Sequence, residues 1–239
     1  MSELILIRHG QAAFLSDDYD RLSEHGIEQS RQLGRYWAAR NISFDAVYAG
    51  PCRRQVGTAE LVGEEMRRAG RAWPDTVVLD EFDEYDGDGV LRVFVPLLAE
   101  KDERFARLAL EHKEAIEAPD RRRTFQRLFE AVTTRWVSGE LESPEVESWA
   151  AFSTRVERGL KRAMEGEGKG RKIAVFTSGG PISVATQRAV RAPTEMAIEL
   201  NWRILNISLT GIIFSGDRLA LDFFNALPHI DDLKFRTYR

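Results

Sequence analysis

The amino-acid sequence predicts an α/β fold: a three-layer sandwich with a mostly parallel central sheet, helices on both faces, a helical insertion and a C-terminal hairpin. Three observations point there. Apolar runs of strand length stand at Leu4–Ile7, Ala46–Ala49, Val77–Leu79 and Ile173–Phe176. The first two are each followed by a helical pattern, and strand–helix alternation implies parallel pairing. From about residue 90 to 165 there is no strand signal.

The helix after the first run is read from Ile27, Ser30, Gly34 and Trp37, which share one face. The helix after the second is read from Val56, Ala59, Gly63 and Met66. Small residues on both faces let each helix sit close to a sheet. The middle of the chain carries three amphipathic stripes. They are Phe105, Leu108, His112 and Ile116, then Phe125, Leu128, Phe129, Val132 and Trp136, then Trp149, Phe152, Val156, Leu160 and Ala163. Their expected role is core packing, with His112 a packed histidine, and a lid over the site is the secondary reading. Arg121-Arg122-Arg123 reads as a solvated helix start, and residues 167–170, Glu-Gly-Lys-Gly, as a turn back to the core. Residues 206–214 and 218–224 flank Ser215-Gly216-Asp217 as a hairpin. Residues 1–239 therefore read as one domain with a helical insertion at about 90–165.

Hydrophobic residues make up 43% and charged residues 30%, which suits a globule, and the net charge of −4 argues against nucleic acid or an anionic membrane as partner. An anionic ligand then needs a local cluster of cations. A single cysteine, Cys52, excludes an intrachain disulfide and a cysteine-based zinc site. The N-terminal apolar run is short, lacks a preceding basic residue and does not read as a signal peptide, so the expected location is cytoplasmic. Asn41-Ile42-Ser43 and Asn206-Ile207-Ser208 fit the glycosylation pattern, which means nothing without secretion. No phosphate-binding Gly-x-x-x-x-Gly-Lys-Ser/Thr run and no metal-ligand spacing of histidines and carboxylates occurs, so no metal or cofactor is expected.

In open α/β sheets ligands bind beyond the carboxyl ends of the strands, and that is where the chemistry-bearing residues fall. Arg8-His9-Gly10 follows the first strand, and Gly50-Pro51-Cys52-Arg53-Arg54 follows the second and opens a helix. An acidic stretch, residues 80–86, follows the third. Thr177-Ser178-Gly179-Gly180-Pro181 follows the fourth and opens another helix, whose amides and dipole favour an anion. An imidazole, two guanidiniums, a carboxyl group and a helix N-terminus at one edge suit phosphoryl chemistry. Each also has a structural reading, as a surface charge or a solvated carboxylate.

Taken in this order, the segments resemble the histidine phosphatase superfamily, the phosphoglycerate mutase-like proteins. Arg8-His9-Gly10 resembles its signature. Residues 22–30, Leu-Ser-Glu-His-Gly-Ile-Glu-Gln-Ser, resemble its Leu-Thr-x-x-Gly-x-x-Gln-Ala segment. Residues 51–59 resemble Pro-Leu-x-Arg-Ala-x-x-Thr-Ala, residues 82–86 the hydrophobic-x-Glu-x-Asp segment, and residues 225–229 a late Asn…His segment. One departure stands out: where the family has a second histidine after the fourth core strand, this chain has Ser178, which removes a cationic donor from the pocket.

The resemblance implies metal-independent hydrolysis of a phosphomonoester, with His9 forming a phosphohistidine. The catalytic set is His9, Glu84, Arg8 and Arg54, and the substrate-binding set is Arg8, Gln11, Arg54, Ser178 and Gly179. Glu81 fits the same short acidic pattern as Glu84; Glu84 is preferred because the family leaves several residues between strand and acid. The alternative is a non-catalytic phosphate-binding or regulatory module that has lost its second histidine, and a mutase is a third reading. The partner is a phosphorylated small molecule or phosphoprotein. The loop 12–20, with Phe14 and Tyr19, and the helical insertion are where specificity is expected to lie. The chain is expected to be a monomer or homodimer.

Overall fold

The computed structural model describes residues 1–13, 20–115, 120–166 and 170–238. The readings made for Phe14, Tyr19, Ile116 and residues 167–169 lie outside the described residues. Six strands form one sheet: β1 (Ser2–Arg8), β2 (Ala46–Ala49), β3 (Thr76–Val78), β4 (Lys172–Thr177), β5 (Leu209–Ser215) and β6 (Arg218–Ala226). Their spatial order is β3-β2-β4-β1-β5-β6. Pairings β1–β4, β2–β4 and β2–β3 are parallel, and β5 and β6 add antiparallel at the β1 side. The predicted hairpin thus supplies two strands of the sheet. Strands also extend beyond their apolar runs, because Ser2 and Arg8 join the ladder through main-chain groups whatever their side chains.

Contacts among Cα atoms divide the described residues into two compact units, Met1–Glu84 with Arg155–Arg239, and Tyr85–Thr154. In the first, α1 (Glu24–Ala39) and α2 (Arg53–Arg68) cover one face of the sheet. Ile5, Ile7, Val47, Ala49, Ala174 and Phe176 meet Leu33, Trp37, Val62 and Met66 there, with Phe44 and Trp73 closing the cluster. Alternation along the strands sends Leu4, Leu6, Ile173 and Val175 to the opposite face, where all four are fully buried. The helix α7 (Gly179–Val190), buried along nearly its whole length, lies next to β1, β5 and β6.

The second unit holds α3 (Gly87–Lys101), α4 (Glu103–Glu114) and α5 (Arg121–Val137), and α6 (Trp149–Met164) begins in it. Tyr85, Trp136, Trp149 and Phe152 form its aromatic centre, with ring centroids 5.2–6.4 Å apart. His112 packs on Phe125 and shares a 3.2 Å hydrogen bond with Thr124 Oγ1, as a packed histidine should. Two helices escape sequence reading. In α3 apolar residues lie on every side and Pro96 suggests a break, yet Pro96 is exposed and Val90, Phe94 and Leu98 still form a buried stripe. The short α8 (Met196–Asn201) is too brief for a periodic signal.

Candidate active site

The parallel register sets the site's width. Arg8 pairs with Thr177, Phe176 with Ala49, and Ala49 with Val78, so the residues following β1, β4, β2 and β3 emerge along one edge. The strand ladder continues one step further, with His9 N donating to Thr177 O at 2.8 Å and Gly50 N to Phe176 O at 2.9 Å.

His9 is 5% exposed. Its Nδ1 lies 2.7 Å from Gly10 O, and Arg54 Nε donates to its Nε2 at 3.2 Å. Those partners assign the tautomer: a carbonyl must receive a proton, so Nδ1 carries it, and Nε2 presents a lone pair. Burial first, then the positive charges of Arg54 and Arg8, hold the imidazole well below its ordinary pKa. The ring is therefore neutral, as a nucleophile must be.

Arg54 belongs to the first turn of α2 and is 9% exposed. Asp20 clamps it: Arg54 Nη1 donates to Asp20 Oδ1 at 2.6 Å while Arg53 N donates to Oδ2 at 2.8 Å. Arg8 Nη1 donates to Ile204 O. The loop carrying that carbonyl is braced by Asn225, whose Oδ1 accepts from Leu205 N at 2.8 Å and whose Nδ2 donates to Arg203 O at 2.6 Å. Asn206, fully buried, donates from Nδ2 to His9 O at 3.2 Å. Thus Asn225 and Asn206 back the Arg8-His9 pair from behind.

Ser178 caps α7, and its Oγ accepts from Gln55 Nε2 at 2.7 Å. Glu84 Oε2 accepts from Gly180 N at 3.2 Å, so this carboxyl group sits on the N-terminus of α7. Glu81 goes elsewhere, to Arg158 at 3.6 Å and Arg162 at 3.4 Å. A hydrogen bond from its own backbone, with help from Arg162 and Arg158, holds its carboxyl below the usual carboxylate range. Of the two acids, Glu84 therefore shares the α7 N-terminus with Ser178 and Gly179. The Cys52 thiol, pushed up to about 12 mainly by burial, donates to Asp83 Oδ1 at 3.0 Å and is no nucleophile at neutral pH.

Gln11 turns toward the start of α1: its Oε1 accepts from Ser23 Oγ at 2.9 Å, and its backbone N donates to Gln29 Oε1 at 2.8 Å. Glycine is required where this loop meets the helix. A Cβ on Gly26 would stand 2.1 Å from Gln11 O, and one on Gly10 would stand 2.5 Å from Gly26 O. Gly26→Ala is expected to cost about 1–3 kcal/mol and to displace residues 9–11. Urea unfolding checks this; an unchanged midpoint would mean that the loop yields freely.

Sequence reading brought His9, Arg8, Arg54, Ser178, Gly179 and Glu84 to this edge, and the edge is where they lie. It missed Asp20, Gln55, Thr58 and Asn206. Thr58 Oγ1 accepts from Gly10 N at 3.0 Å and donates to Arg54 O at 2.7 Å. Thr58 lies inside the 51–59 segment, whereas Asn206 was read as the start of a hairpin strand and as an irrelevant glycosylation pattern. Among the described residues no cluster of histidine, cysteine or carboxylate side chains could hold a metal, and no helix is long and apolar enough to cross a membrane.

Comparison with known proteins follows the same lines. The 2,3-bisphosphoglycerate-dependent phosphoglycerate mutase of Methylorubrum populi is 32% identical over 93 residues, 36% of this chain and 44% of that protein. That of Lactobacillus acidophilus is 35% identical over 71 residues, 27% of this chain and 31% of that protein. The chain thus spans less than half the length of these curated relatives. Among solved structures, Bacillus stearothermophilus YhfR superposes with a TM-score of 0.66 at 15% identity, covering 96% of this chain and 99% of its own. Phosphoserine phosphatase from Entamoeba histolytica, in complex with 3-phosphoglyceric acid, gives 0.62 at 18% identity, with 96% and 99% covered. The alpha-ribazole phosphatase of Shigella flexneri gives 0.60 at 20% identity, with 94% and 96% covered. These likenesses speak for the fold. The family model of the histidine phosphatase superfamily (branch 1) matches residues 4–90 and 94–227, nearly the whole chain, and the protein belongs to that superfamily.

Proposed function

We propose that the protein hydrolyses a phosphomonoester through a phosphohistidine on His9, without a metal ion. The observation that carries this reading is the neutral His9 ring, its Nδ1 tied to Gly10 O and its Nε2 lone pair facing the Arg54 guanidinium. Nε2 attacks phosphorus in line, and the bond from phosphorus to the ester oxygen breaks. Glu84 enters the cycle protonated, gives its proton to the leaving oxygen and becomes a carboxylate. A water molecule then attacks the phosphohistidine, Glu84 takes back a proton, and the N–P bond breaks to release phosphate and neutral His9. Arg8, Arg54, the Ser178 hydroxyl and the Gly179 amide hold the non-bridging oxygens as charge moves. Gln11 is the remaining member of the proposed binding set, its Oε1 bonded to Ser23 Oγ at the start of α1.

The relatives that are named as phosphatases and mutases of small phosphorylated molecules support a substrate of that class, with a phosphoprotein as the other candidate. The test is a panel of phosphorylated metabolites and phosphopeptides, assayed with chelator present, followed by rapid quench of a turned-over substrate in alkali. An acid-labile, alkali-stable phosphoenzyme is expected. Tight phosphate binding with no phosphoenzyme would instead identify a binding or regulatory module.

The depressed His9 pKa makes a separate prediction. An ordinary imidazole begins to protonate near pH 6.5 and loses nucleophilicity as the medium acidifies. Held well below that value by burial and by Arg54 and Arg8, His9 stays neutral into more acid solution than an ordinary imidazole does. The acid limb of kcat/KM is therefore expected to be displaced to the acid side of about 6.5, and a limb centred at about 6.5 would contradict the burial argument.

A further inference from the structure

Gln55 is fully buried, and every hydrogen-bonding group of its carboxamide has a partner on a different site-bearing segment. Its Oε1 accepts from Cys52 N at 3.1 Å, the reach-back bond of a capping box at the start of α2. That bond assigns the amide: the oxygen faces Cys52, so the NH2 group faces the other way. There it donates to Phe82 O at 3.3 Å and to Ser178 Oγ at 2.7 Å. One side chain thus joins the segments after β2, β3 and β4.

The consequence falls on Ser178. A serine at a helix N-cap ordinarily accepts from the amide two or three residues on. Ser178 makes no such bond. Its oxygen accepts from Gln55 instead, and the Gly180 amide is taken by Glu84. With an N–H donor fixed on its oxygen, the serine hydroxyl must point its own hydrogen elsewhere. Ser178 sits at the N-terminus of α7, where an anion is favoured, and the residue is buried.

We propose that Gln55 is a positioning residue that turns the Ser178 hydroxyl into an obligate hydrogen-bond donor to the phosphoryl oxygen. This rests on the phosphatase reading above and deepens it: Gln55 and Ser178 act as one unit, in which the amide sets the direction of the hydroxyl and the hydroxyl touches substrate. The carboxamide also occupies the space beside Ser178, as its 2.7 Å approach requires.

The experiment is a double-mutant cycle on the full chain, with p-nitrophenyl phosphate turnover and titration of inorganic phosphate as readouts. Ser178→Ala and Gln55→Met are each expected to lower kcat by roughly 10-fold or more, up to the ~10²–10³ typical of a lost transition-state donor. The double variant is expected to be no worse than the weaker single variant, because Gln55 has nothing left to orient once the hydroxyl is gone. A purely structural role would lower kcat by the same factor in both backgrounds, and that additive result would overturn the proposal. So would full activity in either single variant. Should Gln55→Met fail to fold by circular dichroism, Gln55→Asn withdraws the amide by one methylene and carries the same expectation. His9→Ala separates the two levels of argument. If it leaves turnover intact, the phosphatase reading fails and takes this proposal with it. If it abolishes turnover while the cycle is additive, only the role of Gln55 fails.

Discussion

His9→Ala is expected to abolish the phosphoenzyme and to cut turnover by about 10³-fold or more, as removal of a nucleophile does elsewhere. No neighbouring group replaces it. The Cys52 thiol is held protonated and bonded to Asp83. The fold should survive, because the main chain at residue 9 keeps its own bonds, to Thr177 O and from Asn206 Nδ2. The loss is confined to a ring, the hydrogen bond it donates to Gly10 O and the one it accepts from Arg54 Nε. Inorganic phosphate should still bind the variant, since the arginines and the α7 N-terminus remain. That separation of binding from chemistry is the diagnostic result, read by titration beside the absence of a phosphoenzyme in the alkaline quench. Full turnover in His9→Ala would end the phosphohistidine account.

The second large effect is on stability in acid. His229 is 8% exposed, and neither ring nitrogen has a hydrogen-bond partner among the described residues. Tyr36 packs against it at 6.0 Å between ring centroids. Burial pushes its imidazole down to about 3. In the unfolded chain the same group takes a proton near 6.5. Between those values the unfolded state binds more protons, so native stability falls as pH drops and levels off below about 3. His229 alone is expected to remove about 3 kcal/mol between pH 7 and pH 4, with buried His9 acting in the same direction. For a domain whose whole stability is ~5–15 kcal/mol, that is a large fraction. His229→Leu should unfold at higher urea at neutral pH, because two unsatisfied buried nitrogens are gone. It should also lose far less stability on acidification. An acid slope as steep as that of the unsubstituted protein would place the sensitivity elsewhere.

The late Asn…His segment illustrates how a resemblance and a physical role can part. Residues 225 and 229 were legible as a pattern, but the pattern carried no geometry. In the fold, Asn225 adopts a left-handed backbone at φ 55° beside the irregular pairing of β5 and β6, and it braces the loop under Arg8. His229 packs against the ring of Tyr36.

Much of the architecture was readable along the chain because its causes are local. Apolar runs of strand length, amphipathic stripes and small residues on helix faces specify elements, and the order of elements specifies a parallel sheet. Arg8, His9, Arg54, Ser178 and Gly179 were legible for the same reason: each ends or directly follows a strand, or opens a helix. Helix α3 was not, because its apolar residues surround the axis and Pro96 mimics a break; only packing decides which side is buried.

What the sequence determined by itself is the set of segments that meet at one sheet edge, since strand periodicity and connection handedness leave few alternatives. What only the tertiary structure decided is the use made of each polar atom there. Asp20 on Arg54, Gln55 on Ser178, Asn206 on His9, and the choice of Glu84 over Glu81 at the α7 N-terminus all join residues far apart in the chain. A hydrogen bond depends on tenths of an ångström and on direction, and no spacing along a sequence contains either.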